Sequence, residues 1–211
     1  MNCVTPRIER TAGKTAPSKR PYQLGKRLEQ SERKRTAILV AARKQLASKG
    51  FLQLTMDGLA QQSRVTRQTV HNLFGTKAEL LEALFDQLAR AGGMKEMRNV
   101  MQERDPRRML AAFAEVLSAF WSNDRLLLRR IHGIAAIDPE FATVLAARNQ
   151  RRWMAATRVI ERMGLKESEV AKLYALTSFE FFDVLAEVNG EKSAGEVVKE
   201  IVHRELEAGG D

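Results

Sequence analysis

TMDGLAQQSRVTRQTVHNLFGTKAELL, residues 55–81, sets two short helical patterns around a tight turn and runs at once into a third. Thr55, Thr66 and Thr76 stand where N-caps are wanted, because a threonine hydroxyl accepts from the unpaired N–H groups of a helix's first turn. Gly75 closes the middle pattern, and Thr76 opens a helix running from Lys77 to Ala91. The middle pattern keeps Val70, Leu73 and Phe74 apolar and leaves Arg67, Gln68, Thr69, His71 and Asn72 for its other faces. A helix held by its apolar side offers its polar side outward. Two such helices across a tight turn form a helix-turn-helix, a layout that presents donors and acceptors to base edges in a DNA groove.

Upstream, SERKRTAILVAARKQLASKGF (31–51) places Ile38, Ala41, Ala42 and Leu46 at helical spacing and predicts a first helix stopped by Gly50. Residues 1–30 carry Pro6, Pro17, Pro21, Gly13 and Gly25 among scattered Lys and Arg, with no apolar periodicity. They read as a disordered basic arm, either a plain tail or a strap along phosphates. Downstream, two successive glycines at Gly92-Gly93 break the helical run. The expected organisation is therefore an arm (1–30), a helix-turn-helix domain (31–91) and a second helical domain (92–211).

In that second part, Asp105-Pro106 and Asp138-Pro139 each combine an N-cap with a proline at the first helical position. The first opens a helix reaching about Ser122, with Met109, Leu110, Phe113, Val116, Leu117 and Phe120 on one face. Asn123 or Asp124 opens the next, to Ile137, and Pro139 starts a long helix ending near Gly164. Ser168 caps a helix expected to run through LYALTSFEFFDVLAEV to residue 188, and a last helix follows Ser193 to Glu207. No stretch sustains period-two alternation, so the fold class is all-α.

Net charge is +9, and its distribution matters more than its size. Residues 1–90 hold 17 Lys and Arg against 7 Asp and Glu, while residues 91–211 hold 18 against 19, so the whole excess lies in the N-terminal part that carries the helix-turn-helix. That favours nucleic acid over a membrane surface, which calls for a basic amphipathic helix or a lipid signal. The single cysteine, Cys3, excludes an intramolecular disulfide and a cysteine-type zinc site. The longest apolar run, Ala37–Ala42, is far too short to span a bilayer, and no apolar stretch follows the basic start; a cytoplasmic protein without a membrane partner is expected.

With these residues laid out, the stretch 31–91 resembles the DNA-binding domain of the TetR-type (tetracycline-repressor-like) regulators, in helix order and spacing. The helical remainder is similar to that family's ligand-binding and dimerisation domain in length and order. The resemblance implies that Thr66, Arg67, Gln68, Thr69, His71 and Asn72 lie in or beside the major groove and that Lys77 clamps the DNA backbone. Chemistry supports part of this on its own: Arg67 suits guanine O6 and N7, Gln68 suits adenine, and the Thr69 methyl suits thymine. Lys77, Arg33, Arg35 and the arm would meet phosphates, setting affinity and salt dependence. The turn position that is usually glycine in the family is Arg64, which then has to accept a left-handed conformation at a cost of about 1–2 kcal/mol. His71 stands where the family most often has tyrosine.

His71, His132 and His203 are far apart, no P-loop, GxSxG or dinucleotide turn is present, and no nucleophile sits beside a base. The sequence thus points away from an enzyme, and to neither a metal nor another cofactor. The candidate ligand pocket is built from Phe113, Phe120, Trp121, His132 and Phe179, with His132 on a helix beside Leu128, Ile131 and Ile134. Phe181 and Phe182 diverge by about 100° on a helix, so one suits the core and the other a partner subunit. Helices 139–163 and 168–188 resemble the pair that forms a four-helix dimer interface in the family. The expected partners are a double-stranded DNA operator, a small-molecule effector and a second copy of the chain, and the expected function is a ligand-responsive repressor. The alternatives are a regulator of the same fold without small-molecule control, and a helical enzyme or binding module.

Overall fold

The computed structural model of the chain describes residues 20–49 and 54–207. Its N-terminal helices are α1 (Arg20–Lys49), α2 (Met56–Ser63), α3 (Arg67–Phe74) and α4 (Lys77–Ala91). After a 3-10 turn at Met94–Glu96 come α5 (Met97–Val100), α6 (Pro106–Asn123), α7 (Arg125–Ala135) and α8 (Pro139–Met163). Then follow α9 (Glu169–Leu176), α10 (Phe179–Asn189) and α11 (Glu191–Glu207). Among the described residues there is no strand, as the absence of period-two alternation predicts.

The caps do what their sequence positions ask of them. Thr55 accepts from the Gly58 N–H at 3.1 Å and Thr66 from the Thr69 N–H at 3.1 Å. Thr76 and Glu79 form a reciprocal capping box at the start of α4. Asp105 and Asp138 cap α6 and α8, each with a proline in the first turn.

Two expectations need correction. Residues 20–30 belong to α1 and not to an arm: Pro21 sits in the first turn where its missing N–H costs nothing, and a Glu29–Arg33 pair at 2.6 Å follows one turn apart. Residues 1–19 and the Gly50 stop lie outside the described residues. The helix expected over 168–188 is two helices, because Ser178 starts a new one by accepting from the Phe181 N–H at 3.1 Å. The break leaves the Thr177 carbonyl to accept from the buried Trp121 indole at 3.1 Å. Between Gly93 and Pro106, where the sequence reading places no individual helix, lie the 3-10 turn and α5.

One apolar cluster runs from Ile38 to Leu206 and is not interrupted at Gly92. Phe85 of α4 packs edge-on to Phe120 of α6 with ring centroids 5.6 Å apart. A Cβ on Gly92 would lie 2.8 Å from Phe120 Cδ2 and 3.0 Å from its Cα, so the approach of α4 to α6 requires glycine there. Arg43 of α1 pairs with Asp124 at 2.6 Å, and Arg130 of α7 donates to the Leu46 carbonyl. The helix-turn-helix thus rests on the C-terminal helices through α1 and α4. Each large side chain buried in such a seam stabilises by about 1.5–3 kcal/mol.

Candidate nucleic-acid interface and interior cavity

At 100° per residue, Arg67, His71, Gln68 and Asn72 fall within an arc of about 140° on α3, while Leu73, Val70 and Phe74 share the opposite side. Val70 and Phe74 are buried and the four polar residues are exposed. Gln68 donates to Asn72 at 2.7 Å, which fixes both amides side by side on the open face. Thr69 is half-buried, and its hydroxyl lies 2.8 Å from that of Thr66, so it presents mainly its methyl. Arg67 reaches back to Asp57 of α2 at 3.4 Å across solvent, a pair worth about 0–1 kcal/mol that a base can displace.

The turn that carries α3 is built on Arg64 at φ 55° and ψ 42°, the left-handed conformation that the resemblance implies. It is the one non-glycine residue with positive φ among the described residues. The Arg64 N–H donates to Gln61 at 3.3 Å and the Val65 N–H to Ala60 at 3.0 Å, a Schellman-type closure of α2. After α3, Gly75 takes φ 63°, and a Cβ there would stand 2.1 Å from Glu79 Oε2, so the capping box itself demands a glycine.

Lys77 begins α4 half-buried beside α3, and burial holds its ammonium below the usual lysine range, opposed by the charge of Asp138. The capping box satisfies the N–H groups of Thr76 and Glu79 internally. Attraction for a phosphate there rests more on the Lys77 side chain than on the helix end. Arg35, expected at a phosphate, is engaged otherwise: it donates to the Leu73 carbonyl at 3.1 Å and lies 4.6 Å over the Phe74 ring, tying α1 to the end of α3. Arg33 is exposed and pairs with Glu29.

In the C-terminal half a cavity of about 230 Å³ opens between α4, α6 and α8. Phe85 and Ala89 of α4, Met94 and Met97 line one side, and Phe113, Leu117 and Trp121 of α6 another. The α8 wall is polar, with Arg148, Asn149, Arg151 and Arg152 before Ala155. Arg148 pairs with Asp86 at 2.7 Å and lies 4.6 Å over the Phe85 ring. Arg152 lies 3.6 Å over the Tyr174 ring and donates to the Tyr174 carbonyl at 2.6 Å; burial lowers its pKa against the opposing pull of Tyr174 and Glu180.

Of the five expected pocket residues, the structure brings Phe113 and Trp121 to the cavity and puts the other three in the packing beside it. Phe120 turns toward Phe85, because Trp121 one residue on already faces the cavity. His132 stacks on Phe179 at 4.5 Å and its Nδ1 lies 2.9 Å from Glu180 Oε1. That contact, ahead of the opposing effect of burial, holds the Glu180 carboxyl at a pKa of about 2. The arginines were the missed residues. Arg148 and Arg152 continue the apolar stripe Phe141, Leu145 … Ala156, Val159 at steps of three and four, so the sequence itself marked them as inward-facing.

A helical chain whose small basic head displays a polar recognition helix has the build of a helix-turn-helix DNA-binding protein, and no helix among its described residues is long and apolar enough to cross a membrane. Residues 38–84 match the family model for bacterial regulatory proteins of the tetR family. The repressor NalD, the secondary repressor of the MexAB-OprM multidrug efflux pump in Pseudomonas aeruginosa, superposes with a TM-score of 0.68 at 20% identity, over 84% of this chain and 97% of NalD. A TetR transcription regulator from Haloarcula marismortui gives 0.65 at 17% identity over 83% and 97%. The regulator PfmR of Thermus thermophilus gives 0.57 at 20% identity over 81% and 97%. At these identities the likeness is one of fold. No curated protein matches the chain.

Proposed function

We propose that the chain is a ligand-responsive repressor that binds a palindromic operator as a homodimer. Gln68, Asn72, Arg67 and His71 read base edges, Thr66 and Thr69 stand beside them, and Lys77 holds a phosphate. The observation that carries the reading is α4. Its first residue, Lys77, adjoins the recognition helix, and two turns on Phe85 and Ala89 form a wall of the cavity. Fifteen residues of helix make a rod of about 22 Å, stiff enough to transmit a displacement from one end to the other. An effector that prefers one placement of α4 shifts DNA affinity by its differential affinity for the two placements.

Dimerisation would use faces of α8 and α10. Val184 and Val188 stand one turn apart on α10 with relative exposures of 66% and 78%, and Met154 on α8 is 55% exposed. A two-fold pairing would set two recognition helices about 34–36 Å apart, one DNA turn. The test is selection of bound genomic fragments with the full chain. A recurrent palindrome is the expected product; fragments with no common sequence would refute operator reading.

A further inference from the structure

We propose that the cavity between α4, α6 and α8 takes a small amphipathic carboxylic acid, its apolar body against Phe113, Leu117 and Trp121 and its carboxylate on the Arg152 guanidinium. This rests on reading that cavity as the effector site. The lining joins an apolar pocket to three arginines and one asparagine, with no acidic side chain. Arg148 is already neutralised, by Asp86 at 2.7 Å and Glu82 at 3.6 Å. Arg152, one turn further along the same face, has no carboxylate within ion-pair distance among the described residues. Its acceptor is the Tyr174 carbonyl, and its buried Nε has no partner.

A guanidinium cannot shed its proton, so Arg152 carries its charge into a half-buried site where the Tyr174 ring and carbonyl are its partners and its Nε donor is unused. A largely desolvated charge without a carboxylate is costly, and a carboxylate meeting the fork edge-on with two parallel hydrogen bonds is the partner that relieves it. Neutral and cationic ligands leave the cost in place. The size also restricts the ligand. At about 230 Å³ the cavity exceeds the roughly 150 Å³ that accepts benzene and falls short of the roughly 300–1,000 Å³ of drug-sized pockets. One ring or a short chain fits, with one acid group at its end.

The test uses the full chain and three probes of one skeleton, 4-phenylbutyrate, 4-phenylbutanol and 4-phenylbutylamine, titrated calorimetrically. The acid is expected to bind about tenfold or more tighter than the alcohol, with the amine weakest. Arg152→Met should bring the acid down to the alcohol's level and leave the alcohol unchanged; Arg152→Lys, which keeps the charge without the fork, should retain part of the preference. An alcohol or amine that matches the acid on the unaltered chain, no binding by any of the three, or a preference that survives Arg152→Met would overturn the assignment. Fluorescence anisotropy of an operator fragment, run alongside, separates this from the wider reading. Preferred acid binding that leaves DNA affinity unchanged removes ligand control but keeps the ligand class. DNA release by the alcohol or amine does the reverse.

Discussion

Two side chains decide how the recognition helix is presented. Arg64 holds the turn in a left-handed conformation that costs an ordinary residue about 1–2 kcal/mol, and its side chain is exposed. Arg64→Gly relieves that strain while adding about 0.4–1 kcal/mol of unfolded-state entropy, so chemical denaturation should show a net gain of up to about 1.5 kcal/mol. A loss of stability would mean that the Arg64 side chain holds the turn. Arg67 is different, since it has to leave Asp57 before it meets a base. Asp57→Asn should therefore tighten DNA binding modestly, by a factor of up to about five, and weaken its salt dependence little; fluorescence anisotropy across salt concentrations reads both. The resemblance marked Arg64 as the odd residue of the turn, since the family usually has glycine there, but nothing in the sequence announced the Asp57 contact, which exists only once α2 and α3 are packed.

At the scale of elements, α4 is the part whose two ends face different tasks, and its docking on α6 depends on Gly92. Gly92→Ala pushes a methyl into Phe120, an overpacking cost of about 1–3 kcal/mol, and should lower the melting temperature by several degrees. An unchanged melting curve would show that α6 yields easily at this contact. Acid sensitivity belongs to the α7–α10 contact. The Glu180 carboxyl is depressed below its unfolded value of 4.5, so its contribution is complete above that pH and is lost as the pH falls toward about 2. Glu180→Gln should flatten this part of the acid unfolding profile, by a small amount because the side chain is 69% exposed. Element existence was legible wherever caps and period agreed, as at Thr66, Thr76, Asp105 and Asp138. The break at Thr177–Ser178 was not, since two small hydroxyl residues inside an apolar run fit a continuing helix as well as a new cap.

For the whole molecule, the two-domain division seen in the charge distribution is a division of chemistry more than of packing. The excess positive charge sits in residues 1–90, but one core joins head and body through α1 and α4. The head's role was readable because its few polar positions have narrow chemical uses. The cavity was legible only in part, because aromatic residues fill cores and line pockets alike, while Arg148 and Arg152, though in register with the apolar stripe, are of a type that usually faces solvent. Val188→Asp should convert a dimer to monomers in sedimentation and weaken operator binding with it; a dimer that persists would move the interface away from α10. The central claim is that the exposed face of α3 reads sequence while Lys77 holds the backbone. Affinities of the unaltered chain, Gln68→Ala and Lys77→Ala for a selected operator and for random DNA, at one fixed salt concentration, test it directly. Gln68→Ala should lose about 5- to 150-fold per half-site on the operator alone, and Lys77→Ala should lose similarly on both DNAs. Equal losses on operator and random DNA for Gln68→Ala would contradict it.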